Sequence, residues 1–168
     1  MLSGKLLNAL NDQMNFEFES ASIYLAMSAY CASEDLDGFA HFFRVQVEEE
    51  RFHAMKFFDF INDKGGRVIV KGYEDPENEF DSIIDVFEKA LEHEKLVTKR
   101  IYALQDIATE EKEYSTISFL NWFIDEQVEE EATFESLVKK LKRIGNDSSA
   151  LYMLNDELAK RVFTPPAE

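Results

Sequence analysis

Six polar residues sit where apolar ones are expected on the helical seams of this chain: Glu17, Glu50, His53, Glu94, Gln127 and Glu130. Glu50 and His53 stand three apart, which puts a carboxylate and an imidazole on one stripe of one helix. Four carboxylates with a single imidazole form a hard, oxygen-rich ligand set. It suits neither copper(I) nor the thiolate sites of structural zinc, whereas iron fits best, manganese also fits, and zinc fits less well. If these groups share one buried layer, four uncompensated carboxylates cost several kcal/mol each unless they take up protons. No Lys or Arg lies in a seam at that level. Two divalent cations would close the charge balance with His53 neutral. Bridged most simply by Glu50, they would lie about 3.5–4 Å apart, and an adjacent ferrous pair can pass two electrons to dioxygen in concert.

The elements that must position these groups are helices. Only 6 Gly and 3 Pro punctuate the 168 residues, and between them apolar residues recur at spacings of three and four. Long helices are expected over about residues 4–32, 38–64, 81–109 and 113–144, and a short fifth over about 148–162. Their seams read Leu10, Met14, Glu17, Ala21, Tyr24, Ser28; Phe43, Gln46, Glu50, His53, Phe57, Phe60; Ile83, Phe87, Ala90, Glu94, Val97, Ile101, Leu104; and Leu120, Phe123, Gln127, Glu130, Phe134, Leu137, Leu141. The interruptions fall near the midpoint of every long helix, and midpoints are level in a bundle.

Two of the connections are short and make their helices antiparallel. The middle one holds Val68, Ile69, Val70 and Pro76 and reads as extended. Helices of about 28 residues are about 42 Å long, and about 15 extended residues reach about 50 Å, so the middle pair can be parallel. The fold expected is all-α: a four-helix bundle with one long crossover, plus a short fifth helix and a tail from residue 163 to 168, in a single domain spanning 1–168.

Composition narrows the class further. With 18 Lys+Arg against 34 Asp+Glu, the net charge of −16 disfavours nucleic acid and anionic membranes and attracts cations. The single thiol, Cys31, excludes an internal disulfide and reads as packing. The first residues lack an apolar signal core and no run approaches a membrane span, so a cytoplasmic location is expected.

Other residues admit more than one reading. The layer could instead fix helix register or bind a redox-inactive cation. An oxygenase acting on an organic substrate would need an access cavity, of which the sequence gives no sign. Tyr24, two turns past Glu17, is either packed with a satisfied hydroxyl or a redox participant. Glu126, Glu129 and Glu130 share a face and Glu49 adjoins Glu50, so they are either solvated acids or a secondary cation site. His41 and His93 lie off the seams and read as surface or interface residues. Phe16, Phe18 and Trp122, also off the seams, suggest aromatic surface buried between subunits.

Glu17 and Tyr24, the run Glu49-Glu50-Arg51-Phe52-His53, Glu94, and Glu126-Gln127-Val128-Glu129-Glu130 together resemble the non-haem ferritins of bacteria and archaea over essentially the whole chain. The resemblance implies a ferroxidase that oxidises Fe(II) with dioxygen or peroxide and stores ferric oxyhydroxide in a hollow homo-oligomeric shell, usually of 24 subunits. On that pattern Glu17, Glu50 and His53 hold one iron and Glu50, Glu94 and Glu130 the other, with Gln127 nearby. Glu49, Glu126, Glu129 and Glu130 match a third iron site, Tyr24 matches a tyrosine linked to electron transfer, and the fifth helix lines a four-fold channel. Haem is not expected, because Arg51 and the Gln127–Glu130 run depart from bacterioferritin. One Cys disfavours a rubrerythrin, and ligands drawn from one bundle disfavour DNA-protecting mini-ferritins.

Overall fold

The computed structural model describes residues 2–165. It contains α1 (Gly4–Ser33), α2 (Asp37–Asp63), α3 (Ile83–Glu110), α4 (Tyr114–Ile144) and α5 (Ser148–Leu158). Side chains close the helix starts: Ser3 Oγ accepts from Leu6 N, Ser82 Oγ from Asp85 N, Glu113 from Thr116 N and Asp147 from Ala150 N. Gly65 (φ 71°) and Gly145 (φ 53°) take the left-handed turns that follow α2 and α4.

The core is in two apolar parts. One gathers Leu6, Leu10 and Met14 of α1 with Phe57 and Ile61 of α2, Val97, Ile101 and Leu104 of α3, and Leu120 and Phe123 of α4. The other gathers Tyr24, Met27 and Cys31, then Phe39 and Phe43, Val86 and Phe87, and Phe134 and Leu137, closed by Leu154 and Leu158 of α5. Reading each helix from one part to the other shows α1 antiparallel to α2, α2 parallel to α3, and α3 antiparallel to α4. The crossover, residues 64–82, returns the chain along the bundle, which is the expected topology.

The crossover is extended, and two helical asparagines serve as its hydrogen-bonding partner. Asn11 accepts from Ile69 N at 2.7 Å and donates to Arg67 O at 3.1 Å. Asn15 accepts from Lys71 N at 2.7 Å and donates to Ile69 O at 2.8 Å. Both are buried. Their side-chain amides reproduce a ladder that a neighbouring strand would otherwise supply.

The start of α2 is closed from far away in sequence. Leu36 at its N-cap offers no side-chain acceptor, and Asn155 Oδ1 of α5 accepts from Gly38 N at 2.8 Å and Phe39 N at 3.2 Å. The approach is so close that a Cβ on Gly38 would stand 1.8 Å from the Asn155 carbonyl oxygen.

Two sequence expectations change. The fifth helix ends at Leu158 rather than near 162, because the chain turns back along α2: His41 Nε2 pairs with Arg161 O at 2.7 Å, and Phe163 packs on Phe52 with ring centroids 5.8 Å apart. His93 is half-buried rather than simply exposed, lying between α1 and α3, stacked on Phe16 at 5.4 Å and 2.8 Å from Ser20 Oγ. Burial, and then Arg100, pull its pKa down to about 4. Phe16, Phe18 and Trp122 are half-buried within the chain, with Arg100 at 4.1 Å over the Phe16 ring and Lys56 at 4.4 Å over that of Trp122. Of the expected tail 163–168, residues 166–168, including the second proline of Thr164-Pro165-Pro166, lie outside the described residues.

Replacing Asn15 with Ala strands the Lys71 N–H and Ile69 carbonyl. Chemical unfolding should show a loss of about 1–3 kcal/mol, and Asn15→Asp should lose at least as much, because it sets a carboxylate oxygen against the Ile69 and Asn11 carbonyls to which the amide donates at 2.8 Å. An unchanged unfolding midpoint in Asn15→Ala would show that the ladder does not hold the crossover.

Candidate metal centre

Between the two apolar parts lies the polar layer. None of Glu17, Glu50, His53, Glu94, Gln127 and Glu130 is more than 5% exposed, so the four helices do bring all six inside at one level. The helical seam is what delivers them, since each replaces an apolar residue in register with core neighbours on either side.

Three glutamines tie the carboxylates down. Gln13 Nε2 donates to Glu17 Oε1 at 2.7 Å. Gln46 Nε2 donates to Glu50 Oε1 at 3.0 Å and Glu130 Oε1 at 3.1 Å, and Gln127 Nε2 donates to Glu94 Oε2 at 3.0 Å. The Tyr24 hydroxyl donates to the other oxygen of Glu94. Sequence reading placed Gln46 on the seam without a task and passed over Gln13. Each stands four residues before the glutamate it serves, a spacing that puts both on one helical face and could have revealed them.

Two groupings could hold a cation. Glu17, Glu50 and His53 offer ligand atoms all within 4.8 Å of one another, and so do His53, Glu126 and Glu130. His53 Nδ1 is 3.4 Å from Glu50 Oε2, and its Nε2 is 3.9 Å from Glu126 Oε1. His53 is common to both groupings, whereas Glu50 joins only the first. Glu94 faces Tyr24 and Gln127 and joins neither grouping, nor does exposed Glu129. Glu49 is only partly buried and is paired with Arg161 Nη2 at 2.5 Å. That contact was not legible, because the guanidinium comes from beyond the last helix.

The electrostatics call for positive charge. Burial, reinforced by the Glu50 carboxylate, raises Glu17 to about 8. Burial and Glu130 do the same to Glu50, and burial and Glu94 to Glu130, each reaching about 8. Burial and Glu50 push Glu94 well above the usual carboxylate range, and burial and Glu94 raise Tyr24. Glu17 Oε2 and Gln46 Oε1 are buried acceptors without a partner. Unsatisfied oxygens among carboxyls that resist ionisation suit a hard divalent cation and little else.

Comparison with known proteins agrees with the geometry. The family described as "Ferritin-like domain" matches residues 7–144. A bacterial non-heme ferritin of Staphylococcus aureus is 52% identical over 163 residues, covering 97% of this chain and 98% of the relative. The chain belongs to the ferritin family. Another bacterial non-heme ferritin, from Staphylococcus saprophyticus, is 51% identical over the same length. Among solved ferritins, an open pore form from the archaeon Archaeoglobus fulgidus superposes with a TM-score of 0.96 at 47% identity, covering 96% of this chain and 100% of that one. An engineered closed form of the same ferritin gives 0.96 at 48% identity and covers 98% of this chain and 100% of that one. The bundle, the crossover and the fifth helix of this chain are therefore those of a ferritin.

The raised carboxyls make stability depend on pH in a definite direction. A carboxyl at about 8 in the fold and 4.5 in the unfolded chain keeps a proton that unfolding releases. The native state binds more protons across that window, so stability falls as pH rises through it. Thermal melts of metal-free protein should show midpoints declining between pH about 5 and about 8, with a divalent cation flattening the decline as it displaces the protons. A flat metal-free profile would contradict the buried, protonated layer.

Proposed function

We infer that the polar layer is a ferroxidase centre, that this chain oxidises Fe(II) with dioxygen or peroxide, and that it deposits the product as ferric oxyhydroxide inside a homo-oligomeric shell of 24 subunits, so storing and detoxifying iron. The observation that carries this reading is the grouping of Glu17, Glu50 and His53, buried together with no cationic side chain in the layer and with an unpartnered carboxylate oxygen. Membership of the ferritin family over residues 7–144 supports it, as does near full-length similarity to bacterial ferritins. No described helix is long and apolar enough to cross a membrane, and a cytoplasmic location is part of this proposal, as is the organisation of residues 1–168 as one ferritin-like domain.

Iron is the substrate here. Glu17, Glu50 and His53 take the first Fe(II). Glu50, Glu94 and Glu130 take the second, for which Glu94 must exchange its bonds from Tyr24 and Gln127 for the metal. The layer's carboxyls release their protons as the ions enter. Two Fe(II) give up one electron each, and dioxygen accepts both with two protons to leave as hydrogen peroxide; peroxide, reacting in turn, oxidises a further pair. Gln127 holds Glu94 until the second ion enters, and keeps its bond to the Glu94 backbone carbonyl at 3.1 Å when the carboxylate turns. Tyr24, hydrogen-bonded to Glu94 and stacked near Phe43 and Phe134 with centroids 6.0 and 5.9 Å away, is the redox-capable side chain beside the second ion, and its hydroxyl is freed when Glu94 turns to the metal. Glu126 and Glu130, with Glu49 and Glu129, form the third site on the way out. Glu126 already lies near His53, and Glu49 must leave Arg161 to join it.

Loading Fe(II) anaerobically and then admitting air tests the reading. Oxygen uptake and ferric absorbance should show fast oxidation of about two irons per chain followed by soluble mineral, and Glu50→Ala should lose the fast phase. Oxidation at the buffer's rate in the unaltered protein would overturn the assignment. Neutralising Glu49 and Glu129 together should slow mineral growth more than initial oxidation; equal slowing of both phases would reject a separate task for the third site.

A further inference from the structure

Arg100 of α3 lies at the bundle surface, yet its polar contacts point inward. Its Nε donates to Gln13 Oε1 at 2.9 Å, its Nη2 donates to the Asp12 carbonyl at 3.3 Å, and its guanidinium covers the Phe16 ring at 4.1 Å. In a chain with 34 acidic residues it forms no ion pair among the described residues, while neighbouring cations such as Lys71 and Lys5 pair with Asp12 and Glu110.

Gln13 is 1% exposed and lies between Arg100 and Glu17. An amide has a donor end and an acceptor end on one rigid plane. With Oε1 held by Arg100, Nε2 must face Glu17, where it donates at 2.7 Å. The reversed amide would set N–H groups against the guanidinium and an oxygen against the carboxylate. Arg100 therefore decides which end of Gln13 meets Glu17. The donated bond occupies Glu17 Oε1 and leaves Oε2 without a partner, in the carboxylate that groups with Glu50 and His53.

We propose that Arg100 and Gln13 are positioning residues for the metal centre: the surface guanidinium orients the buried amide, and the amide holds Glu17 with its second oxygen presented to the incoming ion. The inference rests on the ferroxidase reading and adds to it two residues that touch neither iron nor oxidant. It is set apart from a simple charge effect by its sign. Removing a positive charge near a cation site strengthens cation binding on Coulomb grounds, whereas losing an orienting contact weakens it.

The test is calorimetric titration of metal-free, assembled protein with Zn(II), a redox-inert probe, with the buried-site phase defined as the one lost in Glu50→Ala. Arg100→Met replaces the guanidinium over Phe16 with an apolar side chain, and its melting midpoint is measured beside the titration so that a loss of fold is read separately. Arg100→Met and Gln13→Leu should each weaken the buried-site phase by about 10- to 100-fold. The double variant should be no weaker than the weaker single, because both changes break one relay. Unchanged or tighter binding in Arg100→Met, or losses that multiply in the double variant, would overturn the relay while leaving the metal site standing. Absence of the buried-site phase in the unaltered protein would overturn the metal reading and the relay with it.

Discussion

Four carboxyl groups share one level of a protein interior that contains no cationic side chain, and the rest of the architecture answers to that fact. In a low-dielectric layer, ionised carboxylates repel one another and forfeit their hydration, so each needs a proton, a donor or a cation. The chain supplies the first two while the layer is metal-free. Glu17, Glu50 and Glu130 keep protons up to about pH 8, and Gln13, Gln46 and Gln127 each lend an amide N–H. These are temporary arrangements by design, because protons leave and amides tolerate rearrangement when a metal arrives. A buried lysine would have stabilised the layer permanently and closed it to iron.

The apolar halves of the core make such a layer tolerable. Phe57 and Phe123 pack on one side with ring centroids 4.4 Å apart, and Phe43 and Phe87 on the other at 4.9 Å. Tilted ring contacts of this kind, with interplanar angles of 31° and 46°, fix ring positions as well as burying area. The helices are thereby held in register at both ends, and the polar middle inherits its alignment from them.

Much of this was legible from spacing. Glu17, Glu50, His53, Glu94, Gln127 and Glu130 interrupt seams whose period is unmistakable, and a level set of interruptions in four helices has one geometric meaning. The crossover was legible from loop length. What escaped was every contact made between elements by residues off a seam. Ser20 and His93 find each other across two helices. Arg161 reaches Glu49 only because the chain reverses after α5. Asn11 and Asn15 look like poor helix formers until the crossover lies beside them. Gln13 and Gln46 were visible at their i, i+4 spacing, but a polar residue near a seam has too many ordinary explanations for spacing alone to assign it a partner.

The cap that Asn155 places on α2 ties the beginning of the bundle to the end of the chain. Until residue 155 has left the ribosome, the amides of Gly38 and Phe39 have only water to bond, and the first turn of α2 stays frayed. Docking of α5 then also covers Phe39 and its neighbours with Leu154 and Leu158. The second helix thus owes its first turn to the far end of the chain: without Asn155 the Gly38 and Phe39 amides would face water, and that turn would loosen while the packed middle of the bundle stayed in place.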